Sequence, residues 1–255
     1  MEQETVTTTS PFPTETIELP SKGLFYPEGS PLRSGTVDIY YMTAKHEDIL
    51  TSTNLIQKGI VLDKFLDAII ATKGVKSADL LIGDLNAVMV AARILGYGKD
   101  YEINIDCPAC GNLVSQTIDL SALENENVPA ESTKEFNITL PISKAEVRVK
   151  LLTRQDELDI DKEIKSMKKI NSDIDTESTT RLKKMILAVN GETSPAKVWQ
   201  FVDNMLVKDA RYLRDTYKTN VPDIDFSIPV ECQCGANQKT RLPIGVTFFW
   251  PDSRV

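Results

Sequence analysis

The chain is short of several things, and each shortage removes a class of function. Its 255 residues include one histidine, His46. With one imidazole and no Gly-x-Ser-x-Gly pentapeptide, nucleophile–base–acid hydrolysis has no residues to stand on. No Gly-x-Gly-x-x-Gly follows a strand-like segment. The Lys22-Gly23 step lacks the upstream glycine and the following Ser/Thr of a phosphate-binding loop. No apolar run approaches the roughly 20 residues that span a bilayer. Positive charge is in deficit: 29 Lys and Arg face 37 Asp and Glu, for a net charge of −8. That balance argues against a broad electrostatic footprint on nucleic acid. No secretory signal is evident, so a reducing compartment with free thiols is the expectation. His46 itself reads as a polar helix-start residue beside Glu47-Asp48.

What is present supports a packed core. Hydrophobic residues make up 41% of the chain, and the length suits one large or two modest domains. Residues 1–18 are Thr-rich and punctuated by Pro11 and Pro13, the pattern of a flexible or extended arm. Residues 19–98 read as a strand, Thr36–Met42, followed by a helical block. Its last apolar stripe runs through Leu80, Leu81, Leu85, Val88, Met89, Ala92 and Leu95, ending at Gly96-Tyr97-Gly98. Residues 99–151 and 222–255 read as a β region. Residues 152–221 read as a helical insertion, with Thr153 and Asp156 forming a capping box and Pro195 opening a later helix. Residues 181–190 are expected to be helical up to Gly191. The basic run Lys162–Lys169 reads as a solvated helix face. Phe248-Phe249-Trp250-Pro251 has two readings, aromatics packed back on the core or anchors for a partner.

The four cysteines carry the chemistry. Cys107-Pro108-Ala109-Cys110-Gly111 and Cys232-Gln233-Cys234-Gly235 each interrupt a pair of strand-like segments, and each closes on a Cys-Gly step. A short turn presents two sulfurs to one metal. The glycine takes positive φ at no steric cost, so the chain folds back. The second pair is one residue shorter than the usual Cys-x-x-Cys. A redox pair, disulfides and free buried thiols compete with this reading. A redox Cys-x-x-Cys would open a helix, however, and the segment after Cys110 alternates like a strand. The spacing favours one structural Zn²⁺ held by Cys107, Cys110, Cys232 and Cys234. Such a site would tie together residues 127 apart, counted as 234 − 107. The expected fold class is α+β: zinc-ribbon-like β-hairpins combined with an N-terminal helical block and an inserted helical segment.

Four stretches carry a resemblance to a known family. They are Leu19-Pro20-Ser21-Lys22-Gly23-Leu24-Phe25-Tyr26, Glu47-Asp48-Ile49-Leu50-Thr51-Ser52, the two knuckles, and Leu242-Pro243-Ile244-Gly245-Val246-Thr247-Phe248-Phe249-Trp250-Pro251. Together they resemble the baseplate hub proteins and hub assembly factors of T-even-like contractile-tailed bacteriophages, from about residue 16 onward. The resemblance implies a non-enzymatic hub subunit or hub assembly chaperone. It would act in the host cytoplasm during assembly or in the virion tail baseplate. Its implied partners are other hub or tail proteins, with self-association allowed and with no membrane or nucleic acid. No binding residues carry over from the family. The competing expectation, drawn from the cysteines alone, is a zinc-ribbon nucleic-acid-binding or transcription-associated protein.

Overall fold

The computed structural model describes residues 12–107, 109–126, 133–170 and 176–249. Among them are eight α-helices and nine short strands, an α+β fold built from small antiparallel sheets. Strands β1 (Thr14–Glu18) and β2 (Thr36–Tyr40) pair antiparallel, so the expected arm ends in a paired strand; residues 1–11 lie outside the described residues. Helices α1 (Ala44–Leu50), α2 (Thr53–Lys58), α3 (Val61–Ile69) and α4 (Ile82–Tyr97) follow. His46 sits at the third position of α1, where its Nδ1 accepts the Thr43 N–H at 3.0 Å. It is a capping residue, as its place in the sequence suggested.

Helix α4 is buried on nearly all sides and forms the centre of the first core. Its polar residues are therefore informative. Asp84, fully buried, accepts the Ser21 N–H at 2.9 Å and the Tyr26 hydroxyl at 2.6 Å. The Tyr26 oxygen in turn accepts the Leu81 N–H at 2.9 Å. Burial pushes the Asp84 carboxyl pKa up, against the hydrogen bonds from Tyr26 and Ser21. Arg93, 1% exposed, donates to the carbonyls of Phe248 and Gly98, both at 3.2 Å, and lies over the rings of Tyr97 and Tyr101. Gly83 lets a distant loop approach: a Cβ there would fall 1.8 Å from the Pro222 carbonyl oxygen.

Two hairpins root in this same core. Strands β3 (Asp100–Asp106) and β4 (Leu113–Asp119) form the first. Further along, β5 (Glu135–Thr139) and β6 (Glu146–Lys150) begin a second core. Helix α5 (Arg154–Ile170) starts with the expected capping box: Asp156 accepts the Thr153 N–H at 3.1 Å, and its own N–H donates to Thr153 Oγ1 at 3.3 Å. The lysine run 162–169 lies mainly on its exposed surface. Helix α6 (Glu177–Met185) then gives way to β7 (Ile186–Val189), which joins β6 as the third strand of the sheet β5-β6-β7.

That strand corrects the helical expectation for 181–190. Ile186-Leu187-Ala188-Val189 is a continuous apolar run, and periodicity does not separate a buried strand from a buried helix turn. Pairing Val189 with Val147 and Ile186 with Val149 buries it in the sheet. Helices α7 (Pro195–Asp203) and α8 (Val207–Asn220) cover the second core, and β8 (Ser227–Glu231) with β9 (Asn237–Arg241) forms the second hairpin. Phe248 and Phe249 are fully buried in the first core, which settles their two readings in favour of packing; Trp250 and Pro251 lie outside the described residues.

The first core gathers residues between Leu19 and Leu151 and between Ile224 and Phe249; the second draws on residues between Ile138 and Leu213. Strands β5 and β6, grouped by sequence with the β region 99–151, share the second core with the helices of 152–221. A forked ion pair links the two cores: Arg154 of α5 donates to both carboxylate oxygens of Asp63 on α3, at 2.7 and 3.1 Å.

Candidate metal centre

The two β-hairpins place their tips side by side. The first is anchored below by Tyr101, Ile103 and Leu120, the second by Phe226, Ile228 and Leu242, all in the first core. Between the hairpins, Gln116 Nε2 of β4 donates to the Pro229 carbonyl of β8 at 2.9 Å. The sequence did not single out Gln116, because a lone glutamine in an alternating strand carries no signal of its own.

Both tips close the same way. In the first, the Cys107 N–H donates to Asn112 O at 2.8 Å and the Gly111 N–H donates back to Cys107 O at 2.7 Å. In the second, Cys232 N–H donates to Ala236 O at 3.1 Å and Gly235 N–H to Cys232 O at 2.9 Å. Gly111 has φ +73° and Gly235 φ +83°, the left-handed conformation glycine adopts without cost. The missing spacer residue in the second tip shortens the closing turn from i→i+4 to i→i+3 and leaves its plan intact.

All four predicted cysteines come together. Their sulfurs lie within 4.8 Å of one another, with Cys107 Sγ 3.9 Å from Cys234 Sγ and Cys110 Sγ 3.6 Å from Cys232 Sγ. Both of these contacts run between knuckles, so the cluster belongs to both. No disulfide joins them, since an S–S bond is about 2.05 Å long. Four thiolates about 2.3 Å from one metal ion would stand about 3.8 Å apart along a tetrahedron edge, which these separations match. Cys107 is buried, Cys232 half-buried, and Cys110 and Cys234 exposed.

The electrostatics favour a cation. Backbone N–H groups of Ala109 and Cys110 bring the Cys107 thiol down to about 7. Cys110 is pushed up to about 12, because the neighbouring thiols and burial outweigh the N–H of Asn112. Cys232 also moves up: the Cys234 N–H lowers it, but the Cys234 thiol and burial prevail. One thiolate forms easily and resists the next, so four together require a positive ion among them. Such a set fills all four tetrahedral positions and leaves none open for a substrate.

Fold and site together define an α+β protein with a four-cysteine cluster shared by two hairpins. The family described as T4 bacteriophage base plate protein matches residues 14–250, and the chain belongs to that family. No curated protein and no solved structure matches it significantly. Interaction with other phage baseplate proteins follows from that membership. Among the described residues, no helix is long and apolar enough to cross a membrane.

Proposed function

We propose that this chain is a non-enzymatic baseplate hub subunit or hub assembly chaperone, working through protein–protein contacts and stabilised by one structural zinc. The family match over residues 14–250 is the observation that carries this reading. The centre supports it: an all-thiolate tetrahedral set suits zinc, and its closure suits a structural role. In this reading the metal clips the hairpin tips while the first core holds their bases. The chain then presents a fixed surface to its neighbours in the host cytoplasm or in the virion tail.

Quantitative mass spectrometry of purified virions, beside affinity capture from infected-cell lysate, tests the role. Presence in virions with hub proteins assigns a hub subunit; presence only in lysate complexes with hub proteins assigns an assembly chaperone. Absence from both overturns the reading. Elemental analysis of the purified chain should find one zinc per chain. Iron, or no metal, would remove the zinc.

A further inference from the structure

The cysteine cluster has a second way to close. Cys107 Sγ stands 3.9 Å from Cys234 Sγ, and Cys110 Sγ stands 3.6 Å from Cys232 Sγ, so each contact crosses from one hairpin to the other. A disulfide bond is about 2.05 Å long, so each pair has to draw together by roughly 2 Å or less. The hairpins are fixed below their tips. Tyr101 and Ile103 of β3 and Ile228 of β8 sit in the first core, and Gln116 of β4 bridges to the Pro229 carbonyl. None of these ties uses a sulfur.

Exposure divides each crossed pair in the same way. Cys110 and Cys234 are exposed, whereas Cys232 is half-buried and Cys107 is buried. A water-borne oxidant therefore reaches one sulfur of each pair. The covered sulfur lies across from it, placed to displace the oxygen that the oxidant leaves. Pairing within each knuckle is the competing closure. It would join Cys232 to Cys234 in a ring closed through the single spacer Gln233, away from relaxed disulfide geometry. Crossed pairing engages all four sulfurs and avoids that ring.

We propose that the cluster is a redox clip with two closed states: four thiolates on one metal ion in a reducing medium, and two crossed disulfides, Cys110–Cys232 and Cys107–Cys234, after oxidation by a peroxide. This deepens the structural-metal reading and rests on it. In each pair the exposed sulfur attacks a peroxide oxygen, the O–O bond breaks, and a sulfenic acid forms as hydroxide leaves. The covered sulfur then attacks the sulfenic sulfur, the S–S bond forms, and a second hydroxide departs. Over both pairs, four thiolates give four electrons to two peroxides, which take up four protons and leave as four waters. The zinc departs as Zn²⁺, unchanged in oxidation state. The thiolate state suits a reducing cytosol, and the disulfide state keeps the tips tied in an oxidising medium.

The test uses the full chain purified under reducing conditions and then treated with two equivalents of hydrogen peroxide. A chromophoric chelator follows metal release. Free thiols are alkylated, and a non-reducing tryptic digest is mapped by tandem mass spectrometry. The expected result is release of one Zn²⁺ per chain, with the peptide 100–134 joined to 219–239 by the two crossed bonds. Excess dithiothreitol with Zn²⁺ should reverse both changes. Hydrogen exchange in β3–β4 and β8–β9 should be about tenfold or more slower in the oxidised chain than in the reduced chain stripped by the chelator. Bonds within the knuckles, sulfinic acids without cross-links, or exchange as fast as in the stripped chain would overturn the proposal. If the purified chain carries no metal, the metal reading fails by itself, and the map of the peroxide-treated chain still decides the crossed disulfides.

Discussion

The two cores differ in how far along the chain they reach. The first joins Leu19 and Phe25 to Phe226 and Phe249, whereas the second closes between Ile138 and Leu213. Bringing remote segments together costs loop-closure entropy, and the first core carries specific ties that offset it. Asp84 pins the 19–27 loop, Gly83 admits the 222–223 backbone, Arg93 holds the Phe248 carbonyl, and four thiols meet at the hairpin tips. The second core has a local sheet and ion pairs such as the partly exposed Lys184–Asp159 at 2.9 Å and Lys150–Asp156, whose carboxylate is buried, at 2.7 Å. Both cores hold a buried carboxylate pin, Asp84 in the first and in the second Asp209, which accepts the Ile142 and Ser143 N–H groups; the first core adds the converging thiols.

Removing the thiols should break this contrast most strongly. Cys107→Ser and Cys234→Ser are each expected to lose the metal and to destabilise on the order of 5 kcal/mol, since metal binding free energy is folding free energy. Hydrogen exchange should speed up across β3–β4 and β8–β9 while β7 stays protected. Unchanged metal content and melting in both variants would dispose of the metal staple. Gly83→Ala comes next. Its Cβ cannot coexist with the Pro222 carbonyl 1.8 Å away, so the backbone must separate, at about 3 kcal/mol in thermal or denaturant melts. A neutral result would mean that the two segments do not touch this closely.

Asp84→Ala should cost about 2 kcal/mol, because it leaves the buried Ser21 N–H without its acceptor and takes one partner from Tyr26. Asp84→Asn, which retains one acceptor oxygen, should cost less; equal losses would mean the charge matters more than the hydrogen bonds.

The smallest effect belongs to the second core. Lys184→Ala should cost no more than about 1 kcal/mol, and less in high salt, because its pairs with Asp156 and Asp159 are partly exposed. The pH dependence has a definite sign. Burial raises the Asp156 pKa, but hydrogen bonds from Lys150 and Thr153, with the charges of Lys150 and Lys184, leave it below 3.8. Its stabilisation is therefore present above 3.8 and is lost as pH falls through the lower folded value. Denaturant melts between pH 7 and pH 2 should show the cost of Lys184→Ala shrinking toward the acid end. A salt-independent loss of several kcal/mol would erase the distinction between the cores.

The four-cysteine cluster was the most legible part of the sequence. Two cysteine pairs, each followed by glycine and flanked by alternating residues, announce two turns with converging sulfurs, and the structure brings all four together. The capping box at Thr153 and Asp156 was equally visible, because its chemistry is complete within four residues. The hidden parts depend on contacts with no fixed spacing. Asp84 sits among Leu80, Leu81, Ile82 and Leu85, and a carboxylate in such a run is itself a sign of a buried partner. Nothing local names Ser21 and Tyr26 as that partner. Gly83 looks like a weak helix residue until Pro222 arrives. Strand β7 was missed because four apolar residues in a row fit either a strand or a turn of helix, and only the neighbouring β6 decides.

The reach of the first core also sets an order in time. A ribosome adds residues at about 5–20 per second, and domains form as their last contributing segment emerges. The second core has all its residues once Leu213 is out, so its sheet and helices can close while translation continues. The first core must wait for Phe226, Phe248 and Phe249, and until then part of the apolar surface it gathers around α4 stays uncovered. The thiols wait too, because Cys107 and Cys110 have no counterparts until Cys232 and Cys234 appear. The nascent chain is thus a finished second core beside an open first one, and the arrival of the second hairpin lets that interval end.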